Sequence, residues 1–142
     1  NILGAIGFGK AAEVVIQNTG ENKKVKDLRD LFETKLSQHF PRVNILAQNV
    51  SRLGNTSAIV MPGVLAETQV MGFDLEGICL SAGAACSSGK VKRSHVVEAM
   101  NIGDEPATNT IRVSFGWDST EPEIDFLIDT WLKIYERANK KI

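Results

Sequence analysis

Cysteine is scarce in this chain, with only Cys79 and Cys86 among 142 residues. Two thiols cannot build a disulfide framework, and free thiols fit a reducing cytoplasm. Long apolar runs are missing too. None approaches the ~20 residues needed to cross a bilayer, so no membrane partner is expected. Neither sign of charge is in excess, with 16 basic and 17 acidic residues, which argues against a dedicated nucleic-acid binder. The opening Asn1-Ile2-Leu3-Gly4 lacks a basic stretch followed by an apolar one, as a secretory signal requires. With two cysteines, two histidines and no paired short spacing, no metal site is expected. His39, after an amphipathic helix, reads as a surface or capping residue, and His95 as a packing or capping one. No Pro-rich linker, repeat or low-complexity segment divides the chain, which reads as one domain over 1–142. It starts without Met and enters a helical pattern almost at once, which suggests a fragment whose active-site partners lie upstream.

What is present reads in order as helix, helix, strand, strand, helix, strand, loop, helix, strand, helix. Residues 2–17 are small and apolar, as in a short buried helix ending near Gly20. Over 23–39, Val25, Leu28, Leu31, Phe32 and Leu36 share one helix face, with Arg29, lysines and acids on the other. Val43–Ala47 and Ser57–Met61 are β-prone; Pro62-Gly63 breaks the second before a helix over 64–72. Ile78-Cys79-Leu80 reads as a third strand, with Cys79 an inert core thiol. Ile111–Phe115 alternates apolar and polar like a half-buried strand. Thr120 and Glu123 form a capping box ahead of the stripe Ile124, Leu127, Ile128, Trp131, Tyr135 and Ala138. Helices against a small, mainly antiparallel sheet make an α+β fold.

The segment Ser81-Ala82-Gly83-Ala84-Ala85-Cys86-Ser87-Ser88-Gly89-Lys90 is the unusual one, with eight of ten residues Gly, Ala or Ser. Small residues around one thiol let the backbone bend tightly and move, which suits a nucleophile that travels between reaction partners. Composition alone equally describes a turn with an incidental cysteine, and favours it. Lys90, Lys92, Arg93 and His95 follow with no acid until Glu98, and a positive surround favours thiolate over thiol. Taken singly, each also reads as part of a solvated basic face at a helix entrance. A phosphate loop does not fit. Five residues separate Gly83 from Gly89-Lys90, and Val91 replaces the required Ser or Thr. Gly4-Ala5-Ile6-Gly7-Phe8-Gly9 lacks both the dinucleotide spacing and a preceding strand, and close helix packing explains it better. Arg112, on a strand between Ile111 and Val113, is suited to gripping a carboxylate with two parallel hydrogen bonds. An ordinary surface or salt-bridged arginine satisfies the same pattern.

Together these segments resemble the C-terminal, small-domain region of the NifS/IscS-type cysteine desulfurases of the class V aminotransferase family. Asp74-Leu75-Glu76-Gly77-Ile78 runs into Ser81–Ser88 and then Ser94-His95-Val96, similar to the family's acidic-Gly segment, Ser-x-Gly-x-Ala-Cys loop and following helix. Arg52-Leu53-Gly54-Asn55-Thr56 and Ile111-Arg112-Val113-Ser114-Phe115-Gly116 are similar to two further family segments, and Asn1 with Gly7–Ala12 to the passage between its domains. Ala82 and Ala84 stand where serines are common, Ser87 where Thr is frequent, Trp117 where Arg is common, and Lys90–Arg93 is unusually basic.

The resemblance implies a fold-type I enzyme dependent on pyridoxal phosphate (PLP), whose Schiff-base lysine and cofactor contacts lie in a large domain upstream. No cofactor-binding residue is therefore expected in this chain, which alone should neither hold PLP firmly nor turn over substrate. The implied catalytic residue is Cys86, taking sulfur from L-cysteine as a persulfide while L-alanine leaves, and Arg112 is the implied carboxylate binder. The implied partners are a sulfur acceptor, such as an iron–sulfur scaffold protein, and a second copy of the full-length chain. Rival readings are another class V PLP enzyme, a transaminase or selenocysteine lyase, or a non-enzymatic domain presenting a thiol for sulfur carriage or interaction.

Overall fold

A computed structural model describes residues 1–83 and 93–140 of the chain. The elements follow as α1 (Ile2–Gln17), α2 (Thr19–His39), β1 (Asn44–Ile45), β2 (Thr56–Val60), α3 (Ala66–Leu75), β3 (Ser81–Ala82), α4 (His95–Ala99), α5 (Asp104–Asn109), β4 (Thr110–Ser114) and α6 (Glu121–Asn139). The strands form one sheet in the order β1-β2-β4-β3, with every neighbouring pair antiparallel. This is the expected α+β arrangement.

The strand β4 sets the layout. Its apolar positions are separated by single polar ones, so successive side chains leave opposite faces of the sheet. Ile111 and Val113 are buried while Arg112 between them is half-exposed. On β2 the same alternation buries Ser57 and Ile59, which pair with Val113 and Ile111. That face packs against α2, α3 and α6 in a core containing Phe32, Leu36, Phe73, Ile124, Leu127, Ile128 and Trp131. Burying each such large side chain contributes about 1.5–3 kcal/mol. The other face carries a smaller cluster, Leu46, Val60, Val97 and Ala107, beneath α4 and α5 at one end only.

α6 starts as the sequence indicates. Thr120 N donates to the Glu123 carboxylate at 2.8 Å, and the capping box closes. Its apolar stripe lies on the core, where Trp131 stacks with Tyr135 and both meet Phe40 with ring centroids 4.9 and 4.6 Å away. Ala138 is exposed beyond that contact. α3 is tied to the end of α5 by buried Gln69, whose Nε2 donates to the carbonyls of Val64 and Asn109 at 2.7 and 2.8 Å.

Several expectations are corrected. Residues 2–17 are helical, but the helix buries none of them. Among the described residues its apolar side chains are mostly exposed, with Val14 alone half-buried, which periodicity cannot reveal. Gly20 does not end that helix but lies inside α2. The polar side of α2 is not uniformly solvated, because Arg29 and Glu33 are 4% and 6% exposed. The segment 51–55 lies across them. Arg29 Nη1 donates to Leu53 O at 2.9 Å, and Arg52 holds both Glu33 carboxylate oxygens at 2.7 and 2.6 Å. A Cβ on Gly54 would meet Lys26 Cβ at 2.9 Å, so only glycine permits this approach. The short helix α5 was not foreseen. The third strand is β3, at Ser81–Ala82, and not Ile78–Leu80.

Candidate functional site

Arg112 stands at the middle of β4, on the sheet face away from the main core. Its cross-strand neighbours are Ala58 on β2 and Ser81 on β3. Directly opposed residues share a face, so the guanidinium is flanked by two small side chains. Thr56 and Ser114 form the next pair along, with their hydroxyls 3.2 Å apart. Among the described residues, the α4–α5 cluster covers this face toward Val60. Around Arg112 the described neighbours are small, so a large hydrogen-bonding cation stands on a small-residue floor.

The guanidinium is anchored on one edge. Arg112 Nε donates to Gly83 O at 3.1 Å. Gly83 adopts φ +64°, in the left-handed region that glycine enters without steric cost. It lies just beyond the last β3–β4 pair, Ala82 with Ile111. Among the described residues, no side chain or carbonyl bonds Nη1 or Nη2. A carboxylate meeting those two groups can accept two parallel charge-assisted hydrogen bonds.

Cys86, the thiol that the family resemblance implies as catalytic, lies outside the described residues, as do Lys90 and Lys92. Their flanks are described. Upstream, β3 pairs with β4. Downstream, Arg93 reaches Glu98 with its Nε at 2.6 Å and Asp104 with its Nη2. Those carboxylates hold Arg93 more firmly protonated than usual, yet they also offset its charge. Arg93 therefore adds little to a positive surround for a thiolate. Asp104 was beyond the reach of a local reading, because only the packing of α5 on α4 brings it to Arg93. Ser94 N donates to Ala107 O at 2.9 Å, and Ser94 Oγ accepts from Val97 N at 3.4 Å to cap α4. His95, the first residue of α4, is exposed. His39 is exposed as well, with Nδ1 at 2.8 Å from Lys35 O.

Cys79 is not the core thiol expected of it, for it is exposed. Ile78 and Leu80 pack against the main core, so the side chain between them points outward. Gly77, at φ +79°, turns the chain after α3 and sets that phase.

A PLP anchor demands a lysine that can lose its proton, which proteins obtain by desolvation or by neighbouring cations. The described lysines do not fit. Lys35 is partly exposed and paired with Asp125, and the others are exposed, with Lys10, Lys26 and Lys140 held by carboxylates. The groove between the end of α1 and the sheet, lined by Val15, Val25, Leu53, Asn55, Phe115 and Trp117, carries no ionisable side chain. Neither arrangement suits a cofactor with a phosphate and an aldehyde.

The aminotransferase class-V model matches residues 1–127, and the chain belongs to that family. Among curated proteins it is similar to the cysteine desulfurase of Cereibacter sphaeroides, 38% identical over 129 residues, covering 91% of this chain and 33% of that one. It is also similar to cysteine desulfurase IscS of Dictyoglomus turgidum, 31% identical over 138 residues, covering 96% and 35%. The X-ray structure of a NifS-like protein from Rickettsia africae superimposes with a TM-score of 0.83 at 36% identity, over 96% of this chain and 35% of that one. The chain thus spans about a third of the length of the curated relatives it matches. No helix among the described residues is long and apolar enough to cross a membrane.

Proposed function

We propose that this chain is the small-domain part of a cysteine desulfurase, in which Arg112 binds the carboxylate of L-cysteine and Cys86 accepts its sulfur. The observation that carries the reading is Arg112 itself. It is the guanidinium of an open sheet face, anchored through Nε at the root of the segment that holds the reactive thiol. The names of the relatives support the reaction, and the length difference supports a larger polypeptide that contributes the rest of the site.

In this reading Arg112 orients the substrate through its carboxylate, so that the substrate sulfur faces Cys86. The Cys86 thiolate attacks that sulfur. A sulfur–sulfur bond forms, the substrate carbon–sulfur bond breaks, and the carbon takes up the proton that leaves the substrate thiol. The products are L-alanine and a Cys86 persulfide, a reversible sulfur carrier. PLP belongs to this reading as a group anchored by residues outside those described. The persulfide then passes its sulfur to an acceptor, such as an iron–sulfur scaffold protein, in a cytoplasmic homodimer.

The test is alanine and sulfide release from L-cysteine by the complete polypeptide, with a dithiol present to reduce the persulfide and free its sulfur as sulfide, beside Cys86→Ser and Cys79→Ser. Equimolar alanine and sulfide, lost in Cys86→Ser and retained in Cys79→Ser, is the expected result. The exposed Cys79 is the control that assigns the persulfide to one thiol. Full release by Cys86→Ser sinks the role of Cys86, and an amino-group transfer product in place of alanine makes the enzyme a transaminase.

A further inference from the structure

The hydrogen bond between Arg112 and Gly83 joins two parts of the site that the proposed reaction uses separately. One is the guanidinium. The other is the root of the segment whose thiol, Cys86, lies three residues beyond Gly83. An arginine side chain has several soft torsions, and a half-exposed guanidinium held by charge alone samples many planes. Here the Nε–H is bonded at 3.1 Å to a backbone carbonyl. With the flanking Ala58 and Ser81 too small to hold the guanidinium, that carbonyl is its anchor among the described residues and restricts its plane. Because the Nε–H edge is engaged, the edge made by Nη1 and Nη2 is the one left to meet a carboxylate.

Gly83 is suited to this by its backbone. At φ +64° it leaves the β3–β4 ladder after Ala82, so its carbonyl is available to a side chain. An ordinary L residue is strained at that φ, whereas Asn tolerates it.

We infer that Gly83 is a positioning residue for substrate recognition: its carbonyl fixes the Arg112 guanidinium so that Nη1 and Nη2 meet the substrate carboxylate end-on. The inference rests on the proposed desulfurase reading. It adds a mechanical link, since the group that reads the carboxylate is held by the backbone that leads to the sulfur acceptor.

The experiment uses the complete polypeptide and two competitive inhibitors of L-cysteine turnover, 3-mercaptopropionate with a carboxylate and cysteamine without one. In Gly83→Ala, KM for L-cysteine and Ki for 3-mercaptopropionate rise about tenfold, as a lost orienting bond of ordinary strength implies, while Ki for cysteamine does not change. Gly83→Asn stays within about twofold of the wild type because its backbone can keep the left-handed conformation. In an Arg112→Lys background, which has no Nε donor, Gly83→Ala has no further effect. Equal losses for both inhibitors, an unaltered KM in Gly83→Ala, or the same loss in the Arg112→Lys background overturns the inference. Hydrogen exchange of the Arg112 Nε–H in the wild type decides the matter if Gly83→Ala does not fold. Slow exchange supports the anchor, and exchange as fast as that of exposed arginines removes it. Absence of L-cysteine turnover in the wild type is a separate outcome, which sinks the desulfurase reading itself.

Discussion

The two faces of the sheet divide the work of the molecule, although they are made by alternate residues of the same strands. On one face Ser57, Ile59, Ile111 and Val113 lie under three helices and belong to the main core. On the other, Thr56, Ala58, Arg112 and Ser114 line a surface that, among the described residues, the helices α4 and α5 cover at one end. A two-residue period thus places a core residue and the proposed carboxylate binder next to each other in sequence with their side chains on opposite sides. Their substitutions should affect different properties, and that separation can be attacked directly.

The largest expected effect is on activity. Arg112→Ala should lower kcat/KM for L-cysteine in the complete polypeptide by roughly a thousandfold, as loss of a bidentate charge-assisted contact implies. Its unfolding free energy should stay within about 0.5 kcal/mol of the wild type, as for surface substitutions. A comparable loss of stability, measured by urea denaturation, would erase the distinction between the faces. Ile111→Ala, one residue away, should do the reverse and cost about 3 kcal/mol of stability by removing a fully buried side chain.

A smaller effect is expected where the polar side of α2 grips the segment 51–55. Burial, the largest single influence, pushes the Glu33 carboxyl up, but the hydrogen bonds and charge of Arg52 together with the polar groups of Ser57 and Gln48 outweigh it and hold its pKa below the usual glutamate range. Because the folded pKa is the lower one, the stabilisation is complete above the unfolded value, about 4.3. It declines as pH falls below that toward the folded value. Glu33→Gln should cost about 2 kcal/mol at neutral pH and flatten the acid side of the stability profile. An unchanged acid limb would mean that the pair contributes nothing. Thr120→Ala should cost about 1 kcal/mol through loss of the α6 cap. The smallest effect should come from α1, where Phe8→Ser should shift the melting of the 142-residue chain by no more than an ordinary surface change, since Phe8 is 79% exposed.

That last case shows where a sequence reading reaches its limit. α1 and α6 were both legible as helices, because helical periodicity and capping are local. Which of them is buried was not. α6 lies on the core through Ile124, Leu127 and Trp131, whereas the exposed α1 carries Ile2, Leu3, Ile6 and Phe8. Apolar composition states that a surface seeks cover, not where the cover is. Cys79 failed for a related reason. Three apolar residues in a row admit two phases, and the chain after the turn at Gly77 takes the one that packs partly buried Ile78 and Leu80 against the core. Arg29 and Glu33 looked solvated because the segment that covers them is more than twenty residues away in sequence from Arg29.

The site was legible in the same partial way. Arg112 could be singled out from strand alternation and from the resemblance of Ile111–Gly116 to a family segment. Its small flanking residues, Ala58 and Ser81, come from strands far apart in the chain and could not be found without the register. The ion pairs that offset the charge of Arg93 needed the placement of α5.

By itself, the sequence determined the α+β class, the order of most elements, the cap of α6 and the family, because periodicity, capping and motif order are properties of neighbouring residues. Only the tertiary structure decided that α1 adds no buried residue to the described core, that Glu33 is bound by Arg52, and that the Arg112 guanidinium rests on the carbonyl of Gly83. Those contacts join positions distant in the chain, and their energy comes from desolvation and geometry that exist only once the sheet and helices have packed.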